Sequence, residues 1–363
     1  MEEVRVNLGE RSYPIYIDQG LIARTGRLIR EQGLDGKVLV VTNPTVAEWY
    51  QEPLLHSLTE SGFSVEFAMV PDGETTKSLE EANRLYDLLV AGGYDRHSLL
   101  LALGGGVIGD LTGFVAATYM RGVRFIQIPT TLLAQVDSSI GGKVAVNHPR
   151  GKNLIGSFYQ PGMVVADVAV LKTLPHRELA SGMAEVIKHG IILDGNYFRF
   201  LSGELPQIGR VEPQIMTWVV SGSCRIKGAI VAGDERESGS RALLNFGHTI
   251  GHALESVTHY TRFKHGEAIS LGMLAAVDIA KALGILEEPE LGNSLREVFA
   301  ELGLPTTLVD LPSTPICEAI RMDKKAISGQ VRWILPRRLG EAVISGDVPE
   351  KLVLQVLQAM GGS

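Results

Sequence analysis

The first half of the chain alternates short apolar runs with amphipathic stretches of helical length. Val38-Leu-Val-Val-Thr42 is a β-branched run of strand type, followed by a helical pattern over 45–62. A second strand is predicted at 64–70, then a helix over 78–91 that stops at Gly92-Gly93. Two more strands are predicted at 98–103 and 123–128. Strands and helices of these lengths in alternation predict a parallel sheet with helices on both faces.

After Leu174-Pro175 the texture changes to long helical patterns, over 178–192, 213–232, 245–256, 266–286 and 291–302. Short strands are expected only near the end, at 331–335 and 341–345. The expected fold is therefore α/β, with a Rossmann-like parallel-sheet domain over 1–175 and a mainly α-helical domain over 176–363. The cleft between two such domains is the expected place for a site.

The chain of 363 residues is long enough for two cores, and 45% apolar with 21% charged residues is an ordinary globular composition. A formal charge of −7 argues against non-specific binding to nucleic acid, whose phosphates reward cationic surfaces. Cys224 and Cys317 are isolated, so no disulfide framework is expected and a reducing cytoplasm is the natural setting. The stretch 268–286 contains Asp278 and Lys281 and reads as a buried helix, so no membrane partner is expected.

Chemistry begins at Gly104-Gly-Gly-Val-Ile-Gly109-Asp110, which follows an expected strand and opens an expected helix. Gly104, Gly106 and Gly109 satisfy the spacing of a dinucleotide loop, where glycines admit a pyrophosphate and helix amides face it. The acid that usually grips the ribose about 20 residues later is missing; the candidate acids lie upstream, in Asp72-Gly-Glu74-Thr-Thr-Lys77. A turn that serves only helix–strand packing is the plainer alternative.

Glu185 sits in GMAEVIKHG, His248 and His252 in NFGHTIGHALE, and His265 in KHGEA. A glutamate with two histidines makes a Zn²⁺-type site with open positions for substrate oxygens. By spacing alone both histidines of HTIGH could be ligands, whereas each histidine alone is more often a hydrogen-bonded structural residue. Lys143, Lys152, Lys188 and Lys227 lie among glycine, small or apolar residues, where a solvated charge is not expected. With Arg241, Lys324 and Lys325 they would suit a substrate bearing both carboxylate and phosphate.

The segments DGETTK, GGGVIGDLTGF, IPTTLLAQVDSSIGGKVAVN, GKNLIGSFYQP, LKTLP, GMAEVIKHG, LNFGHTIGHALE, HGEA and MDKK, in this order, closely resemble the 3-dehydroquinate synthase family. The resemblance implies conversion of 3-deoxy-arabino-heptulosonate 7-phosphate to 3-dehydroquinate and phosphate in the shikimate pathway. It implies catalytic NAD⁺ and a divalent metal, Zn²⁺ or Co²⁺. Hydride removal would acidify a neighbouring C–H, phosphate would leave by elimination, and return of the hydride, ring opening and aldol closure would follow. The departing phosphate itself would take the proton.

By motif position the resemblance implies Glu185, His248 and His265 as metal ligands. It assigns substrate to Lys143, Lys188, Lys227, Arg241, Asn245, His252 and one of Lys324 or Lys325. Arg121 looks like the arginine that relatives pass across a homodimer interface. For NAD it implies Asp72, Gly73, Glu74, Thr75, Thr76, Lys77, Gly105, Gly106, Val107, Ile108, Gly109 and Asp110, with Thr130, Thr131, Asp137, Lys143, Lys152 and Thr173. Three alternatives stand beside it. A cyclase acting on sedoheptulose 7-phosphate or glucose 6-phosphate would not need the carboxylate-binding pattern. A metal-dependent polyol dehydrogenase would not need the lysines, and a nucleotide sensor without catalysis would need neither lysines nor ligands.

Overall fold

A computed structural model describes residues 1–362 apart from 238, 327–330 and 347; the side chains of 323–326 also lie outside the description. Contacts divide the chain into two compact units. The first comprises Met1–Leu174 and Pro213–Arg236, the second Pro175–Glu212 and Glu237–Ser363.

The first unit holds strands β1 (Glu2–Val6), β2 (Tyr13–Asp18), β3 (Val38–Thr42), β4 (Val65–Met69), β5 (Leu99–Gly104), β6 (Arg124–Pro129), β7 (Lys143–His148), β8 (Gly151–Phe158) and β9 (Met163–Asp167). Seven of them form one sheet in the order β1-β2-β9-β6-β5-β3-β4, while β7 and β8 form a separate hairpin. All pairings in the large sheet are parallel except β1 with β2. Every residue of β3, β5 and β9 is buried. A strand covered on both faces reads as a continuous apolar run, which is why the first two were legible in the sequence. Helices α1 (Thr25–Glu31), α2 (Pro44–Glu60), α3 (Leu79–Ala91) and α4 (Gly106–Thr118) connect them. Asn43 and Ser78 cap α2 and α3 by accepting from the amides of Val46 and Glu81. One core gathers Leu39, Val41, Leu85, Leu100, Leu111, Phe125 and Val144.

The second unit is mainly helical: α5 (His176–Leu193), α6 (Gly195–Gly203), α7 (Leu205–Gly209), α9 (His248–Val257), α10 (His265–Ala282), α11 (Leu291–Glu301), α12 (Ser313–Ala326) and α13 (Glu350–Ala359), with one hairpin of β10 (Trp333–Arg338) and β11 (Glu341–Ser345). From Leu179 to Ile192 in α5, and from Gly266 to Val277 in α10, every residue is buried. A helix buried all round forms the middle of a core, and these two do so here.

The intervening helix α8 (Pro213–Gly233) corrects the expected division of the chain. Expected in the second domain, it belongs to the first unit, because its buried face packs on β1 and β2, with Gly228 against Val6. Among the described residues, α8 is also the one helix with the length and apolarity to cross a membrane, and half of that apolar window is buried.

Candidate active site

In the first unit the chain moves outward from β3 to β4, then returns to lay β5 beside β3 and moves the other way to β6. Such a reversal of direction opens a crevice beyond the carboxyl ends of the strands, where ligands bind in open α/β sheets. Of the residues expected to hold NAD, all but Lys143 and Lys152, which lie in the β7–β8 hairpin, follow those ends. Asp72 to Lys77 follow β4, Gly105 to Asp110 follow β5, Thr130, Thr131 and Asp137 follow β6, and Thr173 follows β9.

The glycines of the loop do different things. A Cβ on Gly104 would sit 2.6 Å from Ile108, and one on Gly109 would sit 2.5 Å from the Gln127 side chain in β6. Those two positions are fixed by helix–strand packing, the plainer of the two readings. Gly105 and Gly106 instead form the entry to α4, where no side chain caps the first amides. A Cβ on Gly106 would crowd Ser138 Oγ at 2.9 Å.

Behind the loop a polar chain links the expected residues through two that sequence reasoning missed. Asn147 donates through Nδ2 to Glu74 Oε1 at 2.7 Å, and its Oδ1 accepts from the Asn153 backbone amide at 3.0 Å. Asn153, at φ +57°, accepts through Oδ1 from Lys77 Nζ, which also pairs with Asp110 Oδ2 at 2.6 Å. Burial pushes the Asp110 carboxyl up to about 6 against the pull of Lys77. Asparagine tolerates the left-handed conformation better than most residues, the one local signal that could have marked Asn153.

In the second unit α5, α9 and α10 bring Glu185, His248 and His265 together. Glu185 is fully buried, and its Oε2 accepts from the buried Lys188 one turn on. Its Oε1 is buried without a hydrogen-bond partner. Facing that oxygen are His248 Nε2 at 3.7 Å and His265 Nε2 at 3.5 Å. Four ligands at about 2.0 Å in a tetrahedron stand about 3.3 Å apart, so the three atoms have the spacing of ligands around a shared cation. The orphaned carboxylate oxygen and the donor set therefore fit a divalent metal.

Both rings turn Nε2 toward Glu185 Oε1, and each Nδ1 has its own acceptor. His248 Nδ1 lies 3.1 Å from the Phe246 carbonyl, which can only accept, so Nδ1 carries the proton and Nε2 keeps its lone pair. His265 Nδ1 lies 3.3 Å from Glu255 Oε1, in the same relation. Burial drives the His248 pKa well below its ordinary value, and Lys188 adds to that. Burial also resists charge on His265, but the carboxylates of Glu185 and Glu255 on its two edges outweigh it and raise this ring to about 10, so a cation at Nε2 would take the place of a proton. Burial opposes the Glu185 charge too, yet Lys188 and the two rings hold its pKa well below the usual range.

Local packing explains the motifs around these ligands. A Cβ on Gly266 would fall 2.0 Å from the Ser181 carbonyl, so only glycine lets the start of α10 touch α5. The Gly266 amide donates to Ser181 Oγ at 2.9 Å. Glu267 accepts from the Lys264 amide and from the Arg177 guanidinium, tying the first turn of α10 to α5. Gly272 approaches Gly247, where a Cβ would be 1.9 Å from the carbonyl, and this closeness presses α9 against α10.

The remaining expected residues are divided between the units. His252 is exposed, with its ring centroid 5.2 Å from that of His248 and 6.1 Å from that of His265. Arg241 is buried, and Asn245 donates to Glu237 Oε1 at 3.1 Å. Lys227 of α8 is buried and donates to the Asp137 carbonyl at 2.8 Å and to its carboxylate. Asp137 itself lies in a π-helical turn, Ala134–Ser138, which follows β6. Lys143 and Lys152 correct the expectation of shielded lysines. Strand alternation in β7 buries Val144 and Val146 and leaves Lys143 exposed, while β8 has no buried residue and leaves Lys152 exposed with its neighbours. Arg121 is exposed at φ +67°, after Met120 at φ +51°. The side chains of Lys324 and Lys325 lie outside the described residues.

Fold and geometry together define an α/β protein with a nucleotide-type crevice in one unit and a metal-type cluster of Glu and two His in the other. Profiles described as 3-dehydroquinate synthase N-terminal and C-terminal match residues 67–181 and 182–326. The chain is 51% identical to the 3-dehydroquinate synthase of Desulforamulus reducens, covering 98% of this chain and 99% of that one. It is 49% identical to the one from Pelotomaculum thermopropionicum, covering 99% and 97%. The chain belongs to the 3-dehydroquinate synthase family, and it is an enzyme. A solved 2-epi-5-epi-valiolone synthase from Streptomyces hygroscopicus subsp. jinggangensis, with NAD⁺ and Zn²⁺ bound, superposes with a TM-score of 0.89 at 28% identity, covering 98% of each chain. A probable glycerol dehydrogenase from Sinorhizobium meliloti shares the fold at a TM-score of 0.66 and 16% identity, covering 95% of this chain and 96% of that one.

Proposed function

We propose that this enzyme is a 3-dehydroquinate synthase, a phosphate-eliminating carbon–oxygen lyase. It takes 3-deoxy-D-arabino-heptulosonate 7-phosphate to 3-dehydroquinate and inorganic phosphate. The observation that carries the reading is the partnerless, fully buried Glu185 Oε1 turned toward two imidazole Nε2 atoms. When bound, NAD⁺ supplies a hydride acceptor that is restored each turnover, and a Zn²⁺ or Co²⁺ ion supplies a Lewis acid for the substrate hydroxyls.

The chain's own residues bind and orient. Asp72 to Lys77, Gly105 to Asp110, Thr130, Thr131, Asp137, Lys152 and Thr173 would hold NAD on the first unit. Glu185, His248 and His265 would hold the cation on the second. Lys143, Lys188, Lys227, Arg241, Asn245 and His252, with Lys324 or Lys325, would neutralise the substrate's carboxylate and phosphate and keep water away. Arg121 would come from the second protomer of a homodimer, in the cytoplasm. Once the ring alcohol has become a ketone, the neighbouring C–H proton leaves with the substrate's own phosphate.

The test is phosphate release from the heptulosonate phosphate with NAD⁺ far below the substrate concentration, with and without a chelator. Many phosphates released per NAD⁺, and none after chelation, are expected. NADH accumulating in step with substrate would indicate a polyol dehydrogenase, and turnover of sedoheptulose 7-phosphate alone another cyclase; either result refutes the proposal.

A further inference from the structure

We infer that Glu255 is a positioning residue for the metal site, holding His265 in the tautomer and orientation that aim Nε2 at the cation. The inference rests on the metal role proposed for Glu185, His248 and His265. Glu255 stands two turns after His248 on α9, so one helix presents both a ligand and the carboxylate that restrains the next ligand. The His265 ring is strung between two acids on opposite edges, with Nδ1 3.3 Å from Glu255 Oε1 and Nε2 3.5 Å from Glu185 Oε1. Glu255 is largely buried, its side chain 12% exposed, and this strengthens the bond it accepts.

A rival arrangement has Glu255 itself as a ligand, because His252, Glu255 and His265 also come close enough to surround an ion. That set would use His265 from its Nδ1 edge, move the ring proton to Nε2 beside Glu185 Oε1, and leave the His248 Nε2 lone pair facing that carboxylate with no cation between them. The Glu185 set uses the lone pair on Nε2, keeps the Nδ1 proton on Glu255, and satisfies the orphaned oxygen. The geometry therefore favours Glu255 outside the metal's own ligands. A carboxylate behind a metal-bound histidine fixes its ring and raises its basicity, and removing one weakens metal binding by about 10- to 100-fold.

The experiment loads the metal-stripped full-length protein with Co²⁺, reading the dissociation constant by chelator competition and the ligand geometry from the visible spectrum. Glu255→Ala should bind Co²⁺ about 10- to 100-fold more weakly, with an altered spectrum. Glu255→Gln keeps an oxygen that accepts from Nδ1–H, so it should recover most of that affinity. Equal and severe loss in both folded variants would make Glu255 a ligand, and unchanged affinity in both would remove it from the site; either overturns the inference. If Glu255→Ala does not fold, Glu255→Gln decides alone: a Co²⁺ affinity lowered by a few fold with the spectrum retained supports the role, and an unchanged or abolished affinity overturns it. Failure of the unsubstituted protein to bind Co²⁺ would instead refute the metal reading on which the inference rests.

Discussion

Replacing Lys188 by methionine should destabilise the metal-free enzyme far more than the metal-loaded one. Lys188 is 1% exposed and its partner Glu185 0% exposed, and the two are paired one turn apart on α5. Methionine keeps the length of the side chain but strands a buried carboxylate. Removing one member of a buried ion pair costs about 3–5 kcal/mol. A divalent cation on Glu185 Oε1 would neutralise that carboxylate and leave the loaded protein near its original stability. Thermodynamic closure then requires metal affinity to rise by the stability lost in the metal-free form, at about 1.4 kcal/mol per tenfold. Full compensation would tighten binding by about a hundred- to a few-thousand-fold, and incomplete compensation should still leave more than tenfold. Denaturant titrations of metal-stripped and Co²⁺-loaded protein, with chelator competition, measure both sides. Equal loss in the two states, or weaker metal binding in Lys188→Met, would refute this reasoning.

His252→Ala should keep the bound metal, by elemental analysis, while losing turnover; loss of the metal would put His252 among the ligands. Gly106→Val places a branched side chain where even a Cβ would meet Ser138 at 2.9 Å, and should abolish NAD⁺ binding by calorimetry while far-UV circular dichroism stays unchanged. Unaltered affinity would remove the loop from the cofactor site. Burial holds the Asp110 carboxyl at about 6, above its ordinary 3.8, so the fold favours its protonated form. That contribution is intact below the ordinary value and fades as pH rises through about 6. The unsubstituted protein should therefore lose stability relative to Asp110→Asn between about pH 4 and 7, and a flat or opposite trend in denaturant midpoints would contradict the assignment.

Much of the fold was legible in the sequence. The segments at 38–42, 64–70, 98–103 and 123–128 become β3 to β6 within a residue or two, and the long helical patterns become α5, α8, α9, α10 and α11. Residues 245–247, expected to be helical, precede α9, because Gly247 takes φ +80° and starts that helix at His248. Strands β1, β2 and β9 of the large sheet went unseen, as did the hairpin strands β7 and β8. Pro14 interrupts the apolar run of β2, Pro161-Gly162 directly precedes β9, and β1 is a half-exposed edge. The placement of α8 depends on which sheet its apolar face meets, and periodicity does not specify that.

The site divides in the same way. Glu185, His248 and His265 were named by residue type and local motif, and the fold brings them together. Neighbouring small residues were a poor guide to lysine burial, since Lys188 is buried within a helix core while Lys143 points outward from a two-stranded hairpin. Glycines beside the ligands, Gly266 above all, proved to serve helix contact, and the backbone reason for them exists only in three dimensions. Asn147 and Asn153 act through partners more than 70 residues away, and Glu255 through a histidine on the next helix, so apart from the left-handed turn at Asn153 no local pattern announced them.

The central claim is that Glu185, His248 and His265 hold one cation. Anomalous diffraction from Co²⁺-soaked crystals tests it most directly. A single strong peak about 2.0–2.2 Å from Glu185 Oε1 and from both imidazole Nε2 atoms, absent in Glu185→Gln, is the predicted result. A peak bound through His252 and Glu255 instead, or full occupancy in Glu185→Gln, would contradict the account.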